Sequence, residues 1–600
     1  MSHLCRVFAF LCLFGIGASE IQNKGWWKNT VFYQIYPWSF MDSDNDGVGD
    51  LNGITSKLEH FRDAGVGAIW LSPIYKSPMV DFGYDIQDFR AIDERFGTLD
   101  DFTTLTKAAK QLGIKVILDL VPNHTSDKHE WFQQSLAGNE TYNGYYIWKP
   151  SKLEGDPPNN WISVFSGPAW TYNEEKKLWY FHQFEYRQPD LNYANPKVKM
   201  EMEEVIKFWL DKGVDGFRVD AVPHLFEDDG LKDEPRSNVP DATDRDYTYL
   251  NHIYTKDDQR TYDLVQSWRK VLDDWADEHN ETEKVMMTEA YTDLDNTVKF
   301  YKYGAHVPFN FKFITDVTVF SKPTDFKKLI ETWINNMPED SSANWVMGNH
   351  DRPRTESRYP GRGDQMTMLA MILPGVAVTY NGEEIGMVDK SDISWEDTQD
   401  PQGCNAGKDK YKLNSRDPNR TPFQWDNSLN AGFSNGTPWL PVHYNYNEIN
   451  LKREKETKNS HYKVYQALTT LRNNSHALRD GSLNVTILND TILIVRRDHK
   501  DETILLLINF LDAQDQIVNL RSVVSNADKT DNILLLAGSN LPSIDWGEPV
   551  DLLKVKLPAK SSLVLSSKPK VEPVDGGGAS AISPIKIVLA VCLIIVFHLL

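Results

Sequence analysis

Four short segments of this chain end in residues that can carry chemistry. Asp119-Leu-Val-Pro-Asn123-His124, Gly216-Phe-Arg218-Val-Asp220-Ala221, Met287-Thr288-Glu289-Ala290 and Gly348-Asn349-His350-Asp351 each follow an apolar run and finish in acidic, basic or imidazole side chains. A charge at the end of a buried run carries a desolvation cost, so its presence needs a reason. Any one of these carboxylates could merely cap a loop or pair with a neighbouring cation. Three carboxylates, a guanidinium and two imidazoles at such ends form a set of proton-holding groups, the material of acid–base and nucleophilic catalysis. A second constellation, Asp42-Ser-Asp44-Asn-Asp46-Gly47-Val48-Gly49-Asp50, alternates carboxylates with glycines and could wrap a hard cation in oxygen ligands. It is not an EF-hand, because Gly53 stands at the twelfth position where a bidentate Glu is required.

The elements that must position the first set are short β-branched runs alternating with amphipathic stretches. Val31–Tyr36, Ala68–Pro73, Lys115–Val121, Asp215–Val219, Lys284–Thr288, Asn344–Met347 and Val376–Tyr380 read as buried parallel strands. A further strand, sixth in order, is expected around Pro308–Phe313. Segments such as Asp101–Leu112 and Lys197–Lys212 read as helices. This repetition predicts an α/β fold, a (β/α)8 TIM barrel over residues 20–123 and 188–480, with chemistry gathered where strands end. Residues 124–187, rich in Trp, Tyr, Pro and Asn, separate the third strand from the fourth and read as an inserted domain B. After residue 480 alternating strands such as Leu483–Leu488, Ile492–Arg496 and Thr503–Asn509 predict an antiparallel β-sandwich over 481–567.

The four strand-end segments resemble the signature regions of the α-amylase family of glycoside hydrolases, family 13. Gln188-Pro-Asp-Leu-Asn192 is similar to a further motif of its oligo-1,6-glucosidase and maltase branch. The likeness runs from about Trp26 to about Leu565 and is strongest to insect gut maltases, among them the GPI-anchored mosquito type. It implies a retaining α-glucosidase in which Asp220 is the nucleophile, Glu289 the acid/base and Asp351 the third carboxylate gripping the sugar. A retaining pair has carboxyl groups about 5–5.5 Å apart. Glu289 must then stay protonated while Asp220 stays ionised, and Arg218, two residues before Asp220, can hold it charged. The resemblance further implies that Tyr84, Asp85, His124, His350 and Arg420 surround the non-reducing glucose, with Phe165, Phe184 and Gln188 as neighbours. Arg416 is an alternative to Arg420, since Arg416-Asp-Pro-Asn-Arg420 offers two arginines. Asp119 is expected to organise its strand end. In this branch a small residue at the position of Ala221 goes with α-1,4 substrates and Val with α-1,6, which favours maltose-like or sucrose-like substrates. Similar loops after the first strand bind calcium, so one structural Ca²⁺ is expected on Asp42, Asp44, Asp46, Asp50 and the Val48 carbonyl. His129, His182, His224 and His252 are read as ordinary polar residues.

Composition excludes some partners. The net charge is −21 and no Lys/Arg-rich stretch is dense enough for a nucleic acid, whereas a neutral sugar suits such a surface. The 18 Trp and 25 Tyr supply flat faces for sugar rings as well as for cores. Both ends read as processing signals. Residues 1–19 carry Arg6, the apolar run Val7–Ile16 and small residues, a signal peptide. At the other end, 568–580 reads as a stalk holding the attachment residues Gly576, Gly577 and Gly578, and 581–600 as an apolar tail. The pattern is that of a GPI signal, with a single C-terminal membrane anchor as the rival. Either places the protein on the extracellular face of the cell membrane, an apical gut epithelium by the resemblance. Sequons at Asn139, Asn280, Asn435, Asn473, Asn484 and Asn489 agree, while Asn123 and Asn419 are discounted as parts of the motifs. Cys5, Cys12 and Cys592 fall in the signals, leaving Cys404 alone as a buried or shielded thiol, with an intermolecular bridge as the other option. Two rivals share the scaffold: a transporter heavy chain, and a surface receptor such as a docking site for a larvicidal bacterial toxin. The family likeness also carries an expectation of a homodimer.

Overall fold

The computed structural model describes residues 21–567, except 154, 501, 522, 524–533, 542–546 and 548. The signal peptide, stalk, attachment glycines and tail therefore lie outside the described residues.

Eight parallel strands make the central sheet: β1 (Val31–Ile35), β2 (Ala68–Leu71), β3 (Lys115–Leu120), β4 (Gly216–Val219), β5 (Val285–Thr288), β6 (Val307–Pro308), β7 (Asn344–Val346) and β8 (Val376–Tyr380). Their order is β6-β5-β4-β3-β2-β1-β8-β7. Each strand is buried on both faces, which is why they read as unbroken apolar runs. Phe32, Ala68, Trp70, Ile117, Val285, Met287, Val307, Val346 and Val378 fill the interior. Their neighbours Tyr33, Ile69, Val116, Leu118 and Met286 pack outward against the helices.

The remaining gap in the barrel, between β6 and β7, is bridged by a side chain. Asn344 Nδ2 donates to the Pro308 carbonyl at 2.6 Å, and its Oδ1 accepts from the Asn310 N–H at 2.7 Å. Pro308 has no N–H for a ladder, so the amide of Asn344 substitutes for the missing backbone bonds. The strand expected at Pro308–Phe313 thus ends where it was expected to begin, and Lys312–Thr315 is a helical turn.

Between β3 and β4 the chain forms the helix Glu130–Leu136 and a three-stranded antiparallel sheet of Trp148–Lys149, Leu178–Phe181 and Trp170–Asn173. Trp161, Ala169, Trp170 and Phe181 form its own small core. The helices expected around 101–112 and 197–212 run Leu99–Gln111 and Pro196–Asp211. The first is opened by a capping box of Thr98 and Asp101, the second by Asn195 with Pro196 at its first position.

The C-terminal region is a five-stranded antiparallel sheet with a two-stranded companion, Gln516–Val518 with Val555–Leu557. The larger sheet contains Ser482–Leu488, Ile492–His499, Glu502–Asn509, Leu534–Ser539 and Ser562–Ser566. One face, with Ile494, Leu505, Leu507 and Leu565, builds a local core. The other, with Leu493, Val495, Leu506 and Val564, joins the barrel core. Arg497, fully buried, donates to the carbonyls of Ile372 and Leu478 at 2.8 and 3.0 Å, tying the sheet to the barrel.

A charged contact between two barrel-flanking helices makes stability depend on pH. His461, opening the helix His461–Asn474, places Nδ1 2.7 Å from Asp364 in the first turn of Gly363–Ile372. Asp364 raises the imidazole from 6.5 to about 10 against the opposing effect of burial. A raised folded value means the contribution is complete below 6.5 and is lost as pH climbs through about 10. With 30% of the side chain open to water, solvent screening moderates the effect. The melting temperature of wild type should therefore fall between pH 6.5 and 10 more steeply than that of His461→Gln. Parallel curves for the two proteins would refute the contact's role.

Candidate active site

Pleat and barrel together explain why the chemistry lies at one end. Residues two apart point the same way along a strand. The interior positions change from apolar to polar as each strand nears its C-terminal end: Ile117 then Asp119, Gly216 then Arg218 and Asp220, Met287 then Glu289. Gly216 is required where β4 presses on β5, since a Cβ there would sit 2.2 Å from the Val285 carbonyl oxygen. The register sets Arg218 opposite Asp119 on one side and Met287 on the other.

Arg218 is the hub. It lies buried over the Trp70 ring, donates to Asp119 Oδ1 at 2.8 Å, contacts Asp220 directly, and stands 3.8 Å from Glu289. Burial raises Asp119 to about 6 against the pull of Arg218. Asp220 and Glu289 are likewise pushed up by burial, with Arg218 opposing. One guanidinium cannot keep three clustered carboxylates ionised. Arg218 makes direct contacts to Asp119 and Asp220 and stands further from Glu289. The Ala221 N–H donates to Glu289 Oε2 at 2.7 Å and fixes its orientation.

Both imidazoles are kept neutral by burial, and His350 takes part in a hydrogen-bond relay. Burial lowers His350 to about 3 and His124 to about 4. Gln34 Nε2 donates to His350 Nδ1 at 2.8 Å, leaving the proton on Nε2, which faces the Tyr84 hydroxyl at 2.8 Å. Tyr84 in turn donates to Asp119 Oδ2 at 3.1 Å. Asp351 differs from the other carboxylates: burial would raise it, but His350, cationic at the low pH where Asp351 titrates, together with Arg416 and Arg420 holds it well below the usual range. Arg420 Nη2 and Arg416 Nη1 reach its Oδ1 at 3.0 and 3.2 Å.

These groups open on a cavity of about 390 Å³ whose wall includes Asp81, Tyr84, His124, Phe165, Phe184, Asp220, Ala221, Glu289, His350, Asp351 and Arg416. That volume lies within the range of small-molecule pockets, about 300–1,000 Å³. Several expected residues stand behind the wall instead. Asp85 is buried and accepts from Ser77 Oγ and the N–H groups of Val80 and Asp81, so it shapes the loop. Asp81, absent from the expected set, faces the cavity and pairs with Arg416 at 2.9 Å. Of the two arginines, Arg416 is in the wall; Arg420 braces Asp351 and the His350 carbonyl from behind. Gln188 also lies behind, donating to Asp81 Oδ2 at 3.3 Å. His224, read as an ordinary polar residue, lines the cavity. A charged partner three residues before Tyr84 was the available signal for Asp81.

In the acidic loop Asp42, Asp44 and Asp50 bring carboxylate oxygens within 4.8 Å of one another. Asp46 is outside that group, its Oδ1 accepting from the Val48 N–H at 2.7 Å. Asp42 and Asp50 are buried and already organised by N–H donors from Asn45, Gly47, Ser43 and Gly53. An all-oxygen set with spare lone pairs fits a hard cation. The six sequon asparagines are all exposed, whereas Asn123 and Asn419 are buried. Cys404 is exposed, not shielded, because the short helix Pro401–Ala406 carries it on an outer loop.

Residues 34–481 match the α-amylase catalytic-domain family. Maltase 1 of Drosophila virilis is 49% identical over 91% of this chain and 87% of its own length. An α-glucosidase of Apis mellifera is 47% identical over 87% of the chain and 92% of its own. Among solved structures, the α-glucosyl transfer enzyme XgtA superposes with a TM-score of 0.79 at 31% identity, covering 90% of this chain and 99% of that one. With the carboxylate cluster at the ends of β3, β4, β5 and β7, these matches establish that the chain belongs to the α-amylase family of glycoside hydrolases.

Proposed function

We propose that the protein is a retaining, exo-acting α-glucosidase that releases α-glucose from maltose- and sucrose-type substrates. The observation that carries this reading is the Arg416 tie, which joins Asp81, Asp351 and Asp400 at one end of the cavity. In this reading the wall of paired charges grips the hydroxyls of a terminal glucose and stops a longer chain. The Asp220 carboxylate attacks the anomeric carbon while the Glu289 proton passes to the glycosidic oxygen, and that carbon–oxygen bond breaks. Glu289, now a carboxylate, takes a proton from water as the water oxygen replaces Asp220 at the same carbon. Two inversions return the α configuration. Asp351, kept anionic, favours the positive charge that develops on the ring between these steps.

A binding-only role on the same scaffold finds no support in the site, where the carboxylates, the Arg218 hub and both imidazoles are all in place. Ala221 lines the cavity in a left-handed conformation, φ 49°, which a β-branched residue adopts only at a cost. Its small side chain leaves room beside the acid for an α-1,4-linked neighbour. Glucose release from maltose, isomaltose and sucrose tests the reading. Maltose and sucrose should exceed isomaltose, and Ala221→Val should raise the isomaltose-to-maltose ratio. A wild-type protein that folds but cleaves none of the three would overturn it.

The same proposal includes a structural Ca²⁺ held by Asp42, Asp44 and Asp50, with Asp46 and the Val48 carbonyl completing the shell. Chelation should lower the melting temperature, and an unchanged melt with no bound metal by elemental analysis would refute the site. It also includes attachment to the outer cell surface through a GPI anchor at Gly576, Gly577 or Gly578. Failure of phosphatidylinositol-specific phospholipase C to release the protein from cells would count against that anchor.

A further inference from the structure

The cavity wall contains a cation that the proposed mechanism does not use. Lys256 lies in the long excursion between β4 and the helix Gln259–Glu278, and its side chain lines the cavity together with Tyr247 from the same excursion. Its Nζ donates to the carbonyl of Tyr291, two residues beyond Glu289, so the ammonium is anchored beside the acid. An ammonium has three N–H donors, and this bond uses one. No carboxylate stands within ion-pair distance of Lys256 among the described residues, although the chain carries a net charge of −21. Asp257, Asp293 and Glu289 influence it from further away, and burial lowers its basicity. Tyr247 is held rigid: His252 stacks on one ring face at 3.6 Å and 5°, and stands 2.7 Å from the buried Glu234.

We infer that Lys256, with the Tyr247 ring in the same cavity wall, forms the recognition site for the leaving sugar. The inference rests on the α-glucosidase reading. Glu289 must protonate the oxygen that joins the two sugars, so the departing sugar has to lie on the Glu289 side of the cavity. Asp81, Tyr84 and Arg416 belong to the other sugar, at the opposite end. Lys256 is a cavity-lining cation on the departing side with two N–H donors beyond the one held by the Tyr291 carbonyl, whereas Arg352, the other cavity-lining cation near Tyr291, lies over the Tyr291 ring. It donates to the ring hydroxyls of a sugar leaving group, and the Tyr247 ring covers an apolar face of it. An aromatic leaving group has no hydroxyls for Lys256 to hold. Lys256 therefore sets a preference for disaccharides over aryl glucosides.

The test compares kcat/KM for maltose with kcat/KM for p-nitrophenyl α-glucoside in wild type, Lys256→Met and Lys256→Arg. A ratio taken from one preparation is independent of the fraction folded, so partial misfolding does not obscure it. Loss of a charged hydrogen bond should lower the maltose-to-aryl ratio roughly ten- to a hundredfold in Lys256→Met. Lys256→Arg, which keeps the cation, should restore most of it. A Lys256→Met ratio equal to that of wild type would overturn the assignment. Wild type inactive on both substrates would instead overturn the α-glucosidase reading on which it rests.

Discussion

The Asp220→Asn protein is expected to fold normally and to hydrolyse maltose roughly four to six orders of magnitude more slowly than wild type. Asn is isosteric but cannot form the glucosyl ester, so the step that needs a nucleophile is removed rather than weakened. Stability should hold or rise, because Arg218 then serves Asp119 alone and one buried negative charge disappears from a crowded cluster. Glu289→Gln should fail differently. Maltose needs a proton on its leaving oxygen and is lost, whereas an aryl glucoside with a good leaving group can still glucosylate Asp220. Without a base for water, that intermediate accumulates, and added azide should attack it to give α-glucosyl azide. The β-azide would show a single displacement and would exclude a covalent intermediate on Asp220. In wild type the same pair sets the pH profile. Activity on maltose falls on the basic side as Glu289 loses its proton and on the acidic side as Asp220 gains one.

The barrel was legible because parallel strands buried on both faces leave unbroken runs of β-branched residues, and because charges at their ends are costly without a purpose. Strand β6 was not, since two residues leave no periodicity and its closure depends on the Asn344 side chain, which no local pattern marks. The proposed nucleophile and acid, Asp220 and Glu289, were legible for the same reason as the strands: each sits one residue beyond its strand, where register dictates position, while Asp351 lies five residues past β7. Loop residues were harder. Tyr84 faces the cavity as expected, but which neighbouring Asp joins it is decided by the turn at 80–85, whose N–H groups claim Asp85 and free Asp81. The arginines in the 416–420 segment differ only in which side of a short 3₁₀ turn they occupy. Lys256 and Tyr247 come from an excursion with no motif of its own, and only the folded structure brings them to Glu289.

Replacement of Arg416 by Ala should cost both stability and activity, and the two losses can be separated. Its guanidinium meets Asp400 at 2.6 Å, Asp81 at 2.9 Å and Asp351 at 3.2 Å, and the Asp400 side chain is fully buried. Asp400 is held below its ordinary value despite burial chiefly by Arg416, so truncation leaves a buried carboxylate without its cation. Removing one partner of a buried pair costs about 3–5 kcal/mol. Arg416→Lys should recover little, since a single ammonium cannot fork to three carboxylates. Asp81→Asn isolates the functional part. Arg416 keeps Asp400 and Asp351, so the melt should change little, while the terminal glucose loses one charged contact worth about 1.5–3 kcal/mol, roughly ten- to a hundredfold in kcat/KM. Arg420→Ala should weaken turnover by a different route, releasing Asp351 and the His350 carbonyl without opening the wall. If Arg416→Ala melts and turns over like wild type, the charge network is not what closes the cavity, and the exo-acting reading loses the observation that carries it.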